Sequence, residues 1–158
     1  MAENLCEDRW AGIYVVQKHR ATQLHYDFRL EMDGVLKSWA IPKGPSLDHT
    51  QRRLAMLVDD HALEHAEVEA EDCIIWDRGC WRPQGDLSPE EQLERGLLEF
   101  ELAGEKLTGG WGLVRFTDDP KNWLLVKQKD ERSRPGSEVT TEEPESVVTG
   151  KTLDRGAP

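Results

Sequence analysis

Residues 24–30 alternate strictly, with His25, Asp27 and Arg29 on one face and Leu24, Tyr26, Phe28 and Leu30 on the other. A period of two is the signature of a strand with one apolar side. Asp33-Gly34 then offers the left-handed backbone that a tight hairpin needs, and residues 35–41 return as the partner strand. Pro42-Lys43-Gly44-Pro45 breaks that pairing into a loop.

Further short strands are expected at residues 13–16, 53–58 (running into Asp59-Asp60-His61), 73–77 (closed by Arg78-Gly79), 97–102, 111–116 and 123–129. Ser88-Pro89-Glu90-Glu91 has the form of a capping box with proline at the first helical position, and Gly96 makes its stop. Many strands, one or two short helices and regular turns predict a mainly β fold. The form expected is a small closed or nearly closed antiparallel barrel, or else two packed sheets. The 158 residues suit one domain. It is expected over 13–129, after a polar arm at 1–12 and before an acidic tail at 130–158 whose composition predicts disorder. The six tryptophans, Trp10, Trp39, Trp76, Trp81, Trp111 and Trp123, suit a barrel core better than a set of base-stacking platforms.

Three cysteines, Cys6, Cys73 and Cys80, are odd in number and lack zinc-ribbon spacing, so they read as reduced, structural thiols. No segment is apolar enough to span a bilayer and no signal peptide is evident, which makes a cytoplasmic protein without membrane contact the expectation. The formal net charge of -11 argues against broad, non-specific duplex binding. A nucleic-acid ligand would have to be held by a local pocket, where a metal ion can invert the charge.

Residues i and i+2 of a strand lie about 7 Å apart on one face. His25 and Asp27 can therefore converge on one ion if the strand is twisted, and His19 can close the set across the 20–23 link. Two histidines and a carboxylate suit manganese, zinc or iron with positions left open for substrate and water. By spacing alone, ordinary hydrogen-bonded histidines fit as well. Arg29 is a fork for two phosphate oxygens on that face. Lys43 sits in a loop from which a cation can reach over the site. Arg53 and His61 have equal parity and share a face if the chain between them stays extended. Surface salt bridges and solvated charges are the plain alternatives for each cation. Together with the triplet they describe a cation-lined phosphate pocket. His49 and His65 read as loop or surface residues.

Several segments, in one order, resemble the 3′-phosphoesterase domain of bacterial DNA ligase D. They are Val16-Gln17-Lys18-His19, Leu24-His25-Tyr26-Asp27-Phe28-Arg29-Leu30-Glu31, Asp33-Gly34-Val35-Leu36-Lys37-Ser38-Trp39-Ala40, Ile41-Pro42-Lys43-Gly44-Pro45-Ser46, Asp59-Asp60-His61 and Trp76-Asp77-Arg78-Gly79. The likeness spans roughly residues 13–129 and suggests a stand-alone member of the family. It implies a manganese-dependent enzyme (zinc or cobalt as substitutes) that trims DNA or RNA-tailed DNA 3′ ends in non-homologous end joining. Such enzymes remove a terminal ribonucleoside and then the 3′-phosphate. Carried over by motif, His19, His25 and Asp27 are metal ligands. Arg29 and His61 contact the scissile phosphate, with His61 the candidate general acid, and Lys43 and Arg53 are further phosphate-side cations. A separate ligase or end-joining factor is an implied partner, and the chain is expected to act as a monomer. The alternative is a weakly catalytic end-binding or ligase-recruiting module.

Three departures accompany the likeness. A Gly-rich insert before the Trp76-Asp77-Arg78-Gly79 strand is missing, so residues 68–73 run almost directly into it. His65 replaces a tyrosine, which bears on the monoesterase step. The first ten residues are acidic where many ligase-fused members have a basic arm, which bears on the diesterase step and the grip on primer-template.

Overall fold

The computed structural model describes residues 6–153. Its eight strands are β1 (Gly12–Arg20), β2 (Leu24–Met32), β3 (Val35–Ile41), β4 (Arg52–His61), β5 (Cys73–Pro83), β6 (Leu97–Gly104), β7 (Thr108–Arg115) and β8 (Asn122–Lys127). They close into one antiparallel barrel in the order β1-β2-β3-β4-β8-β7-β6-β5, with β5 paired back onto β1. The closed barrel is thus the form realised, rather than two sheets. Closure leaves no edge strand to be capped. Helix α1 (Pro89–Arg95) has the expected capping box at Ser88, and Gly96 takes the left-handed conformation (φ 83°) that ends it. A short helix α2 (Val139–Glu142) and a 3-10 turn at Leu63–Glu67 complete the elements.

Alternation sends every second residue into the barrel, and an eight-stranded barrel is just wide enough for side chains to fill. Tyr14, Phe28, Trp39, Trp76, Trp81, Phe100 and Trp111 are at most 1% exposed, so most of the tryptophans are core. Trp10 is the exception; it is half-buried outside, with the Arg82 guanidinium 4.7 Å from its ring centroid. An interior packed with rings has no room for chemistry, which confines any active site to the outer surface or the ends.

The Trp76-Asp77-Arg78-Gly79 segment works as a staple inside the barrel. Opposite β1 the register slips, Val16 facing Asp77 while Gln17 faces Ile75, so β5 carries one extra residue. Trp76 and Asp77 both end up fully buried. Asp77 accepts hydrogen bonds from the Glu105 and Lys106 amides (2.9 Å each), from the Leu107 amide (3.0 Å) and from the Tyr14 hydroxyl (2.7 Å). Burial pushes its carboxyl up, and these hydrogen bonds oppose that shift. Gly79 does not close a turn as expected, because β5 continues to Pro83. It is there because a Cβ would lie 2.0 Å from the Ala103 carbonyl oxygen.

Two expectations are corrected. Cys6 and Cys80 form a disulfide, with Cα atoms 5.7 Å apart, and only Cys73 is a free thiol among the described residues. Seventy-four residues of separation hid this pairing from spacing arguments. The bond ties the segment before β1 to the outer face of β5; residues 1–5 of the expected arm lie outside the described residues. The expected disordered tail packs onto the barrel through residue 153, with Val139 and Leu153 at most 2% exposed. Its anchors are polar. Trp76 Nε1 and Lys106 Nζ both donate to the Glu143 carbonyl, and the Gly136 amide donates to Asp48 Oδ2 (2.9 Å). Scattered apolar residues and backbone acceptors suffice here, which a composition average cannot register.

Asp77→Ala is expected to lower unfolding free energy by about 3 kcal/mol, since four donors lose their acceptor in a dry interior. Urea unfolding measures this, and a loss under about 1 kcal/mol contradicts the staple. Asp48 is held down at about 2 by the hydrogen bond from Gly136 and those from the Thr50 amide and hydroxyl. A depressed carboxyl stabilises the fold above its unfolded value of about 3.9, and that contribution is lost as pH falls toward the folded value. The gap in urea midpoint between the parent and Asp48→Ala should therefore be constant above about pH 5 and shrink between about pH 4 and 2. A gap independent of pH contradicts this anchor.

Candidate functional site

The residues of β1, β2 and β3 that do not enter the core form one strip on the outside of the barrel. His19 stands opposite His25, Gln17 opposite Asp27, and Arg29 opposite Ser38. The 20–23 link is a hairpin turn, so His19 is the direct cross-strand neighbour of His25, and their ring centroids are 5.1 Å apart. Period-two geometry thus puts His25 and Asp27 on one face of β2, and His19 closes the triplet from β1 across the 20–23 link.

One donor atom from each of His19, His25 and Asp27 lies within 4.8 Å of the others. His25 Nε2 is 3.2 Å and His19 Nδ1 3.9 Å from Asp27 Oδ2. These separations suit ligands that share one ion at about 2.0–2.2 Å each. The donor chemistry also fits. His25 Nδ1 donates to the Gln23 carbonyl at 3.2 Å, which leaves Nε2 as the ligand nitrogen of a neutral ring. Burial alone would raise the Asp27 carboxyl, but His25, Arg29 and His19 outweigh it and hold the group below the ordinary carboxylate value. The same contact with Asp27, against the effect of burial, raises His25.

Arg29 is 3% exposed, and a buried guanidinium must be paired and hydrogen-bonded. Its Nε donates to Gln17 Oε1 (2.7 Å), its Nη1 to Ser38 Oγ (2.8 Å) and to His61 Nδ1 (3.0 Å), and its Nη2 lies 3.5 Å from Asp27 Oδ2. Burial pulls the guanidinium down and Asp27 opposes that shift. Arginine has no acceptor, so His61 Nδ1 must accept, and the neutral imidazole carries its proton on Nε2. That leaves Nε2–H facing away from Arg29 as a hydrogen-bond donor.

The excursion between β4 and β5 roofs the strip. Gln17 Nε2 donates to the His65 (2.8 Å) and Val68 (3.2 Å) carbonyls, fixing the 3-10 turn from below. His65 lies against His61, with centroids 4.7 Å apart and the ring planes tilted by 41°. Burial, then the neighbouring Arg29 guanidinium, lowers His65. Sequence reading placed His65 at the surface and passed over Gln17, Ser38 and Asp72; all four border the site. For Gln17 a signal was available, since it shares the parity of His19 on β1.

The expectation that Arg53 shares a face with His61 is corrected. Ser38 pairs with Val58 but Leu36 pairs with His61, so β4 takes three steps against two on β3. That bulge reverses parity. His61 joins the outer strip, while Arg53, opposite the core residue Leu125, belongs to the inward row at the barrel's end. There Arg53 donates to the Lys43 carbonyl (3.2 Å) and approaches Glu138 at 3.9 Å. Lys43 itself is exposed on the loop after β3, and the Tyr26–Ile41 register puts that loop at the His25 end of β2. The structure therefore gathers His19, His25, Asp27, Arg29 and His61 into one site and sets Lys43 and Arg53 beside each other at its margin.

Residues 17–115 match the family described as the DNA Ligase D 3′-phosphoesterase domain. The protein named "Multifunctional non-homologous end joining protein LigD" from Pseudomonas aeruginosa is 50% identical over 153 residues, covering 89% of this chain and 18% of that protein. The protein of the same name from Mycolicibacterium smegmatis is 36% identical over 133 residues, covering 76% of this chain and 17% of that protein. In Mycobacterium tuberculosis, "Multifunctional non-homologous end joining DNA repair protein LigD" is 36% identical over 131 residues. The chain spans less than a fifth of the length of these relatives. With its closed barrel and more than half its length matched, the chain belongs to the family of DNA ligase D 3′-phosphoesterase domains.

Proposed function

We propose that this chain is a metal-dependent phosphoesterase that heals nucleic-acid 3′ ends, removing a terminal ribonucleoside, a 3′-phosphate or both to leave a 3′-hydroxyl. The observation that carries this reading is the convergence of His19, His25 and Asp27 beside the Arg29–His61 hydrogen bond on one outer face. When bound, a divalent ion (manganese first, with zinc or cobalt as substitutes) supplies charge to polarise phosphoryl oxygens and ready a nucleophile. Arg29, held rigid by Gln17, Ser38 and His61, has its Nη2 group left to offer a phosphate oxygen beside the metal ligands without having to reorganise. His61 Nε2–H donates a hydrogen bond to the scissile phosphate or the leaving oxygen; the general-acid role implied by the family needs the doubly protonated ring, in which Nδ1 no longer accepts from Arg29. Lys43 and Arg53 serve as outlying cations toward the rest of the strand. An outer-face site is reachable by a polymer end, whereas a pocket inside the barrel would admit only small esters.

The net charge of -11 means that grip on the strand comes from this local set alone. The names of the relatives place them in end joining; by extension the ends processed here are DNA or RNA-tailed DNA, passed to a ligase. Among the described residues no helix is long and apolar enough to cross a membrane.

A 5′-labelled primer with one 3′-terminal ribonucleotide tests the reading. With manganese, the parent chain should give a product ladder of 3′-phosphate and then 3′-hydroxyl ends. His19→Ala and Asp27→Ala, shown to be folded by circular dichroism, should lose at least about 100-fold in rate. Parent-like rates in those variants would overturn the metal reading. Binding of the primer without turnover by the parent, in manganese, zinc or cobalt, would favour an end-binding module.

A further inference from the structure

The C-terminal segment 146–151 closes around the loop that leads into β5. Glu69, on that loop, accepts from the Ile75 amide (2.7 Å), from the Ser146 hydroxyl and from the Thr149 hydroxyl (3.1 Å). Lys151 Nζ donates to the Ala70 (3.2 Å) and Glu71 (3.4 Å) carbonyls. The segment is itself a tight loop. Ser146 Oγ accepts from the Val148 and Thr149 amides (3.0 Å each), and the Ser146 amide donates to the Lys151 carbonyl (2.7 Å). Val147 packs against the small outer cluster of Val15, Leu36, Ala66 and Ile75, and its amide donates to the Ile75 carbonyl (3.0 Å).

The next residue of the clasped loop, Asp72, reaches the metal side. Its Oδ2 lies 3.7 Å from His19 Nε2, an ion-pair rather than a hydrogen-bond distance. The other nitrogen of that ring, Nδ1, faces Asp27. A carboxylate behind the far nitrogen of a ligand histidine fixes the ring's tautomer and orientation and raises its basicity. Asp72 is more than half exposed, so its own surroundings do not hold it. The loop is fixed by the clasp on residues 69–71, by the Ala70 and Cys73 backbone hydrogen bonds that close the turn carrying Asp72 (2.8 and 3.3 Å), and by the Arg20 amide donating to the Asp72 carbonyl (2.9 Å).

We infer that residues 146–151 are a positioning element of the metal site: by gripping Glu69, Ala70 and Glu71 they hold Asp72 behind His19 and so set the affinity for the ion. This rests on the metal reading above. Glu69, Ser146 and Thr149 act here as positioning residues, since none of them touches the ligand atoms.

Titration calorimetry with manganese chloride and no nucleic acid tests it, alongside melting temperatures taken without metal. Asp72→Asn should weaken manganese binding about tenfold, as should the double variant Ser146→Ala with Thr149→Ala. Combining all three substitutions should cost no more than Asp72→Asn alone, because both changes break the same link. Thr149→Ala, which removes two exposed hydrogen bonds (to Glu69 and from the Lys151 amide), should show the same coupling to Asp72 on a smaller scale even if the double variant is poorly folded. A purely structural role would lower the metal-free melting temperature without coupling to Asp72. Affinity within about twofold of the parent, or an additive loss of about a hundredfold in the triple variant, would overturn the clasp while leaving the metal reading in place. Absence of manganese binding by the folded parent would overturn both.

Discussion

Everything at the candidate site is arranged around the cost of burying one guanidinium. Arg29 is almost wholly enclosed, and an unpaired charge there would be costlier than any single packing contact in the barrel is favourable. Its partners come from four strands: Gln17 on β1, Asp27 on β2, Ser38 on β3 and His61 at the end of β4. That demand gives a reason for details that otherwise look incidental. Gln17 and Ser38 are fully buried polar residues on the outer face. The β4 bulge turns His61 to the same side, where it accepts from Arg29 and has its tautomer set by doing so.

Inside and outside of the barrel are given different work. Large rings fill the interior and hold the strands at fixed spacing, so the outer strip inherits rigid positions for His19, His25 and Asp27. Rigid positioning on strands is what a metal set needs, since small displacements of ligands are costly. The roof over the strip is irregular chain, and its order comes from Gln17 below and the C-terminal segment beside it. Asp77 does the corresponding task within the barrel, collecting the amides of the β6–β7 turn.

The strands, the capped helix and the triplet were legible in the sequence because each rests on local rules. Alternation over 24–30, the Asp33-Gly34 turn and the Ser88 capping box need only neighbours in the chain. What escaped depends on distant partners. The β4 bulge is set by β3, so the equal parity of Arg53 and His61 misled. The Cys6–Cys80 bond joins segments that meet only when β1 pairs with β5. The tail looked featureless because its anchors are backbone groups and isolated side chains such as Ser146, Thr149 and Lys151, whose partners lie far away in the chain. His65 looked like a surface residue until the 3-10 turn folded it against His61.

The central claim is that an outer-face ion site lies between His19, His25 and Asp27, next to Arg29. Anomalous diffraction from crystals soaked in manganese chloride, collected at the manganese edge, tests it most directly. One strong peak is expected within about 2.3 Å of a nitrogen from each histidine and of Asp27 Oδ2. A sole peak elsewhere on the chain, or a peak bound by other carboxylates with these three residues unmoved and unliganded, would contradict it.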